Sequence, residues 1–285
     1  MTKCRKLHVD KLIEFLREDI GFGDITSVSL IPEDQEAHAK LYFREPGIVS
    51  GLDETETIFE LLNCKVTTHA KHGDRTEANQ TLLEVDGTAI SILSGERTAL
   101  NLIGRMAGIA TTTAETVKKA SVENPKIRIA ATRKCMLGLR TLDKKAVIQG
   151  GGDPHRYRLD DCVLIKDNHL VLVDSITSAV NTVRAKVSFT KMIEVEVETT
   201  NQAVEAAEVG ADIVMFDNMS PAKIRETIAV LERRGLRERI LLEASGGITP
   251  DNVADYAATQ VDIISLGHLT HSLKSLNVKL EIEMI

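Results

Sequence analysis

MIEVEVETTNQAVEAAEVGADIVMFDN, residues 192–218, contains two apolar runs separated by a stretch with the apolar spacing of a helix. The first run alternates Glu with Ile and Val, which is typical of a β-strand. AVEAAEVGA at 203–211 is typical of a helix, and DIVMFDN at 212–218 is again typical of a strand. The stretch therefore predicts a strand, a helix and a second strand parallel to the first.

The same unit recurs along the second half of the chain. Apolar runs that end in polar or small residues follow one another at intervals of about 20 to 30 residues, which fits one strand plus one helix. The runs are IRIAATRK (127–134), CVLIKDNH (162–169), MIEVEVET (192–199), DIVMFDN (212–218), ILLEASGG (240–247) and VDIISLG (261–267). Repeated βα units of this kind predict a parallel α/β barrel.

The first half of the chain has a different pattern. Residues 37–93, including TAISIL at 88–93, are predicted to be mainly β structure after an amphipathic helix at 9–20. Ser94 is a good N-cap for a helix that reaches about Ile109, and a second helix starts in the threonines at 111–113. We expect a domain boundary in this region.

The composition narrows the function classes. The 285 residues carry a net charge of −7 with a pI near 5.7, which argues against broad binding of nucleic acid or anionic membranes. Cys4, Cys64, Cys135 and Cys162 are scattered and form no C-x-x-C pair, so we expect reduced thiols in a cytoplasmic protein. The charged N-terminus lacks an apolar signal core, and no apolar run approaches the ~18 residues that a membrane span needs.

Polar or small residues stand at the C-terminal ends of the predicted strands, which is where active sites of α/β barrels lie. They are Arg133, Lys134, Lys166, Glu196, Asp217, Ser245 and Gly267. A solvated rim would explain any one of them, but the opposite strand ends show no such clustering. We therefore expect these residues to meet in one site.

Lys166 has three interpretations: a Schiff-base nucleophile, an anion-binding ammonium or an ion-pair partner of Asp167. Other basic residues cluster near it in an otherwise acidic chain: Arg133, Lys134, Arg140, His155 and Arg156. This cluster favours an anionic ligand with several charged groups.

The last two predicted strands end in glycines, ASGG at 244–247 and SLG at 265–267. Glycine lets backbone N–H groups approach a phosphate closely. The last strand-to-helix loops of α/β barrels often bind phosphate, so we expect a phosphate site here. The alternative is that the glycines only form two tight turns. We expect Glu196 and Asp217 to bind hydroxyls or a divalent cation, Mg²⁺ associated with a phosphate.

Several motifs together resemble the quinolinate phosphoribosyltransferase family, also called nicotinate-nucleotide pyrophosphorylase (carboxylating). They are A-T-R-K at 131–134, G-L-R at 138–140, G-G-G-x-x-H-R at 150–156, L-I-K-D-N-H at 164–169 and E-R-T-x-L-N at 96–101. The resemblance covers nearly the whole chain and implies the transfer of phosphoribosyl from phosphoribosyl pyrophosphate (PRPP) to quinolinate. The products would be nicotinate mononucleotide, pyrophosphate and CO₂, with Mg²⁺ as cofactor, in NAD biosynthesis.

The resemblance also implies an architecture. An N-terminal α/β sandwich at 1–110 would be joined by the C-terminal segment 272–285, and residues 111–271 would form an incomplete parallel α/β barrel. The protein would be a cytoplasmic homodimer with shared active sites that could assemble further, and Arg97 of the partner subunit would complete each site.

Site roles are carried over by motif. Quinolinate would be held by Arg97, Arg133, His155, Arg156 and Lys166. PRPP would be held by Lys134, Glu196, Asp217, Ser245, Gly246, Gly247, Gly267 and His271. The catalytic groups would be Lys134, Lys166, Glu196 and Asp217, of which Glu196 and Asp217 would also bind Mg²⁺.

One loop departs from the family pattern. TRKCMLGLR at 132–140 has Cys135 in place of the usual Thr and Leu137 in place of the usual Pro, so the loop loses a rigid residue and a hydroxyl. Three other functions remain open: a molybdenum-transport-associated pyrophosphorylase paralogue, which usually lacks K-D-N-H, a Schiff-base sugar-phosphate aldolase using Lys166, and a non-catalytic nucleotide-binding protein.

Overall fold

The computed structural model describes residues 4–284. They divide into two compact units, one formed by the residues up to Thr111 with those from Leu273 onward, the other by 112–272. Among the helices within 4–284, none combines the length and apolar composition that crossing a membrane requires.

The helices and strands up to Glu123 are α1 (Cys4–Ile20), α2 (Ile25–Leu30), β1 (Glu36–Phe43), β2 (Gly47–Ile48), α3 (Leu52–Leu61), β3 (Lys65–Thr68), β4 (Arg75–Thr76), β5 (Thr81–Thr88) and α4 (Ala89–Glu123). Those that follow are β6 (Arg128–Ala130), α5 (Arg140–Gln149), β7 (Val163–Ile165), α6 (Asp167–Leu170), α7 (Ile176–Arg184), β8 (Ile193–Val197), α8 (Thr200–Glu208), β9 (Ile213–Asp217), α9 (Pro221–Arg233), a 3₁₀ turn (Arg237–Arg239), β10 (Leu241–Ser245), α10 (Val253–Ala257), β11 (Ile263–Ser265), α11 (His268–His271) and β12 (Val278–Met284).

The first unit is built on a four-stranded sheet in the order β12-β1-β5-β3, with antiparallel pairing throughout. Ala39, Leu41 and Phe43 of β1 are fully buried while their neighbours are partly exposed, which is the period-two pattern of a strand with one covered face. Leu41 pairs with Leu280, so the end of the chain completes this sheet. Helices and an antiparallel sheet in one unit agree with the predicted α/β sandwich.

The second unit contains a six-stranded parallel sheet in the order β6-β11-β10-β9-β8-β7. Successive strands lie side by side from β7 to β11, and β6 then pairs with β11, as in the cyclic order of a barrel. Within the described sheet β6 and β7 are the two edges, so the barrel is open between them. This confirms the predicted incomplete α/β barrel.

Three predictions for the first unit are wrong. The predicted strand 88–93 and the two predicted helices that follow are one continuous helix, α4, so Ser94 is not an N-cap. The threonines at 111–113 do not interrupt it, and Thr111 Oγ1 accepts a hydrogen bond from Ile48 N at 2.8 Å, outside the helix backbone. The region predicted to be β also contains α3, which begins at Leu52.

Candidate active site

A cavity of about 520 Å³ lies at the C-terminal ends of the barrel strands, within the second unit. Its lining is Ala131, Thr132, Arg133, Lys134, His155, Arg156, Leu164, Lys166, Asp167, Glu196, Met215, Asp217, Asn218, Glu243, Ser245, Gly246, Gly247 and Ser265. Every barrel strand, or the residues directly after it, contributes to this lining. The structure thus brings together the predicted strand-end residues Arg133, Lys134, Lys166, Glu196, Asp217 and Ser245.

Strand periodicity explains which side chains reach the cavity. Glu196 of β8 and Met215 and Asp217 of β9 line it, while Val195, Val197 and Phe216 are buried away from it. Because alternate side chains of a strand point to opposite faces, each strand sends one set inward. Because the short strands end at the same level, their last inward-facing side chains lie together around the cavity.

Arg133 and Lys134 lie three and four residues after the end of β6, and together with His155 and Arg156 they form a cationic wall of the cavity lining. Arg133 Nε is buried and has no hydrogen-bond partner among the described residues. A buried guanidinium donor without a partner is costly, and a carboxylate oxygen would satisfy it. This wall fits an anion with planar oxygen acceptors.

Lys166, directly after β7, donates from Nζ to Glu196 Oε1 on the neighbouring strand. Burial raises the pKa of Glu196 despite the hydrogen bond and charge of Lys166, and the charge of Asp217 raises it further. The Lys166 backbone N–H donates to His169 Nδ1 at 2.9 Å, which fixes the start of α6. Lys166 is therefore paired with Glu196, not with Asp167.

His155 contacts two buried carboxylates that the sequence did not single out as site residues. Its Nε2 lies 3.2 Å from Glu243 Oε2 and 3.7 Å from Glu194 Oε2, and both glutamate side chains are fully buried. Burial opposes protonation of His155, but the hydrogen bond to Glu243 and the charges of both glutamates raise its pKa. Burial and the charge of Glu243 raise the pKa of Glu194 to about 8.

The alternation in 192–199 already placed Glu194 on the same face as Glu196, and Glu243 precedes Ser245 by two residues. That spacing was the available signal for both missed residues. Donor atoms of His155, Glu194 and Glu243 lie within 4.8 Å of one another, close enough to hold a metal ion. The raised pKa values of His155 and Glu194 favour protons held in this cluster, which reduce the repulsion between the two buried carboxylates.

The glycines after β10 also line the cavity. Gly246 has φ 90° and Gly247 has φ 63°, which glycine adopts without strain. A Cβ on Gly246 would stand 2.4 Å from Asn218 Oδ1, so no larger residue fits there. The loop therefore presents bare backbone to the cavity, as a phosphate site requires.

Gly267 and His271 are absent from the cavity lining but contact one of its residues. A Cβ on Gly267 would meet His271 Cδ2 at 2.9 Å and Lys134 Cδ at 3.0 Å. Thr270 Oγ1 donates to Lys134 O at 2.7 Å, which ties the short helix α11 to the same loop. The predicted phosphate-binding residues Gly267 and His271 thus lie next to Lys134.

Arg97 and residues 135–140 of the departing loop also lie outside the cavity lining. Arg97 is exposed on α4 in the first unit, whereas every lining residue belongs to the second unit. In the departing loop, Arg140 Nε donates to Cys135 Sγ at 3.4 Å, and Leu137 is 87% exposed. The cysteine thus replaces the hydroxyl as an acceptor, while the leucine contributes little packing.

Comparisons with known proteins cover nearly all of the chain. Family models described as quinolinate phosphoribosyl transferase, N-terminal domain and C-terminal domain, match residues 24–107 and 109–281. The chain is 47% identical over 274 residues to the probable nicotinate-nucleotide pyrophosphorylase (carboxylating) of Methanothermobacter thermautotrophicus, covering 96% of this chain and 98% of that protein. It is 37% identical over 268 residues to the nicotinate-nucleotide pyrophosphorylase (carboxylating) of Rattus norvegicus, covering 94% of this chain and 88% of that one.

Solved structures give the same result. The chain superposes on NadC from Streptococcus pyogenes with a TM-score of 0.91 at 34% identity, covering 97% of this chain and 96% of that chain. It superposes on the nicotinate-nucleotide pyrophosphorylase from Ehrlichia chaffeensis with a TM-score of 0.89 at 35% identity, covering 95% and 97%.

Proposed function

The chain belongs to the quinolinate phosphoribosyl transferase family, and we propose that its cavity binds quinolinate and PRPP side by side. The protein is a carboxylating nicotinate-nucleotide pyrophosphorylase of NAD biosynthesis, which forms nicotinate mononucleotide, pyrophosphate and CO₂. The observation that supports the arrangement is a single cavity with a cationic wall, an acidic pair and a glycine loop.

Quinolinate binds against the cationic wall. Its two carboxylates need several donors in fixed directions, and arginine supplies planar pairs of N–H groups. Arg133 offers an unsatisfied buried donor, and Arg156 and a protonated His155 stand beside it. Lys166 reaches the same space from β7, so the diacid is held from two sides.

PRPP binds between the acidic pair and the glycine loop. Its 5′-phosphate meets the backbone N–H groups of Gly246 and Gly247 with the hydroxyl of Ser245, and Gly267 and His271 extend this cradle toward Lys134. Glu196 and Asp217 accept hydrogen bonds from the ribose hydroxyls. Lys134 stands near the pyrophosphate.

Mg²⁺ fits at Glu196 and Asp217. Both carboxylates face the cavity, and the charge of Asp217 raises the pKa of Glu196, so the two groups repel. Oxygen donors of this kind suit Mg²⁺, which binds through few carboxylates together with substrate phosphates. When bound, the ion neutralises negative charge that develops on pyrophosphate.

Transfer forms a bond from the pyridine nitrogen to C1 of ribose and breaks the bond from C1 to pyrophosphate, which leaves with the electron pair. Positive charge grows on the ribose, where Glu196 and Asp217 stabilise it, while Lys134 stabilises the leaving group. The carboxylate beside the nitrogen then leaves as CO₂, and its electron pair stays on the ring carbon next to the cationic nitrogen. A proton completes the product, and no covalent enzyme intermediate is needed.

The assembly belongs to the same proposal. We expect a homodimer in which Arg97 of the partner subunit adds a further cation to the quinolinate side, and we expect the protein in the cytoplasm. Exposure of Arg97 in the described chain supports a role at an interface. The hydrogen bond from Lys166 Nζ to Glu196 supports an anion-binding ammonium over a Schiff-base nucleophile, since the side chain already donates to a carboxylate.

Quinolinate labelled with ¹³C at the 2-carboxylate tests the reaction. We expect labelled CO₂ and pyrophosphate in a ratio of one to one, with Mg²⁺ and PRPP present. Asp217→Asn should raise the Mg²⁺ concentration for half-maximal rate, whereas Asp251→Asn, an exposed change, should not. Label retained in the nucleotide would refute the decarboxylating transfer.

A further inference from the structure

Lys144 of α5 is a fully buried lysine outside the cavity lining. Lysine is almost never fully buried unless its ammonium finds partners. Its Nζ donates to Pro154 O and, at 2.7 Å, to Arg156 O. These are the carbonyls on either side of His155, so one ammonium bridges the segment that carries two quinolinate-binding side chains.

The bridged segment has a conformation that needs support. His155 has φ 51°, in the left-handed region that a non-glycine residue adopts only with backbone strain. Its backbone N–H donates to Asp153 Oδ1 at 2.7 Å, and Asp153 is itself paired with the backbone of Ile129 and Ala131 at β6. The side before His155 is therefore fixed to the barrel, and Lys144 fixes the side after it.

The ammonium is enclosed on its remaining side by the ring of Tyr157, whose centroid lies 5.3 Å from Nζ. Burial lowers the pKa of Lys144 to about 8, so the fold holds a desolvated charge that an apolar side chain would not require. Burial of this charge opposes folding. Lys144 is therefore better explained by the backbone carbonyls that it holds in place than by a contribution to the stability of the whole protein.

We propose that Lys144 is a positioning residue: its ammonium bridges the carbonyls of Pro154 and Arg156 and thereby aims His155 and Arg156 at the carboxylates of quinolinate. The inference rests on the proposed function of the cavity. Lys144 lies outside the cavity lining, so its loss acts on the diacid side through residues 154–156 and leaves the PRPP residues on and after β8 to β11 in place.

Lys144→Met tests this role, because it removes the charge and keeps a side chain of similar length. We expect the KM for quinolinate to rise about tenfold, the effect of losing one to two hydrogen bonds to a charged group, with the KM for PRPP within about twofold. Lys144→Arg, which can donate to both carbonyls, should recover part of the quinolinate KM. Lys223→Met, on the exposed face of α9, should change neither constant.

If Lys144→Met does not fold, Lys144→Gln carries the test, because its amide still donates a hydrogen bond. Its quinolinate KM should lie between the wild-type value and the tenfold rise expected for methionine. In a His155→Ala, Arg156→Ala background, Lys144→Met should lower kcat/KM for quinolinate by less than about twofold, since Lys144 acts through those side chains. A full tenfold loss in that background, or equal rises in both KM values, would overturn the positioning role.

The two levels of the proposal fail differently. Wild-type protein without quinolinate-dependent turnover would overturn the proposed function and this role with it. Wild-type turnover combined with an unchanged quinolinate KM in Lys144→Met and Lys144→Gln would overturn the role of Lys144 alone.

Discussion

Glu243 Oε2 lies 3.2 Å from Nε2 of His155, at the buried end of the cavity. The contact joins a carboxylate of the fifth strand of the barrel to a loop residue that follows the first. It stabilises the imidazolium form of His155. In the proposed arrangement, that form would bind a carboxylate of quinolinate by charge as well as by a hydrogen bond.

Glu243→Gln should therefore weaken quinolinate binding. The hydrogen bond to Glu243 and its charge raise the pKa of His155, so the variant should have a lower pKa at this residue. Because the protonated form binds the diacid, kcat/KM for quinolinate should fall off at lower pH in the variant than in the wild type. We expect a rise of about tenfold in KM near neutral pH, measured with steady-state pyrophosphate release.

Glu238→Gln, an exposed change in the same unit, serves as the control and should leave the pH profile unchanged. Identical alkaline limbs in wild type and Glu243→Gln would show that Glu243 does not hold the charge of His155.

Glu194 should make stability depend on pH. Burial and the charge of Glu243 raise its pKa from an ordinary 4.5 to about 8, so the folded protein retains a proton that the unfolded chain has lost. Its contribution to stability is complete below pH 4.5 and is lost as the pH rises to about 8. We expect urea unfolding to show that the wild type loses stability between pH 5 and pH 8 while Glu194→Gln does not. The unfolding free energy of the variant minus that of the wild type should rise by at least ~1 kcal/mol over this range.

Glu198→Gln, exposed just beyond the end of the same strand, should show no such change with pH. An unfolding free-energy difference between wild type and Glu194→Gln that stays constant over this range would mean that Glu194 is ionised throughout.

The glycine loop can be tested with a matched pair of substitutions. Gly246 and Gly210 have φ of 90° and 87°, but only at Gly246 would a Cβ collide with a neighbour, Asn218. Both alanine variants should lose about 1 kcal/mol of stability from backbone strain. Only Gly246→Ala should also raise the KM for PRPP, by about tenfold or more, because the displaced loop faces the cavity.

A PRPP constant that changes equally in Gly246→Ala and Gly210→Ala would contradict a phosphate site at this loop. Quinolinate KM serves as the internal reference in both variants, since the residues proposed to bind the diacid, Arg133, His155 and Arg156, lie in other segments of the chain.

Mixed dimers test the shared site. Arg97→Ala and Lys166→Ala should each abolish most activity alone, because one lacks the cation supplied to a neighbour and the other lacks the strand-end ammonium. The two purified variants are mixed under conditions in which subunits exchange. About half of the dimers are then mixed, and one of the two sites in each mixed dimer carries both intact residues. Up to about a quarter of wild-type activity should therefore return. No recovery, with exchange verified by a tagged protomer, would argue that each site is complete within one chain.

The fold of the second unit was predictable because each parallel strand is buried on both faces and reads as a short apolar run. The regular alternation of strand and helix then predicts the order of the strands in the sheet. It also predicts that their C-terminal ends, with the polar residues, lie along one edge. The early start and the continuity of α4 were not predicted, because β-branched residues at 88–93 and the threonines at 111–113 have strand-like composition. Tertiary burial on the helix outweighs that local preference.

The site was predictable where it depends on strand ends and not where it depends on contacts. Arg133, Lys166, Glu196 and Asp217 follow from position along the strands alone. The pairing of His155 with Glu194 and Glu243 needs the register of three segments and the left-handed turn at His155, which no local pattern encodes. The burial of Lys144 was equally unpredictable from the sequence, because the side chain of a lysine within a helix is usually solvated.

The most direct test is pyrophosphate release measured with Mg²⁺ and PRPP in the presence of either quinolinate or nicotinate. We predict release with quinolinate and none above background with nicotinate, because a cavity with cations for two carboxylates leaves part of that wall unpaired when one is missing. Release with nicotinate at a comparable rate, or release that does not require quinolinate, would contradict a diacid site.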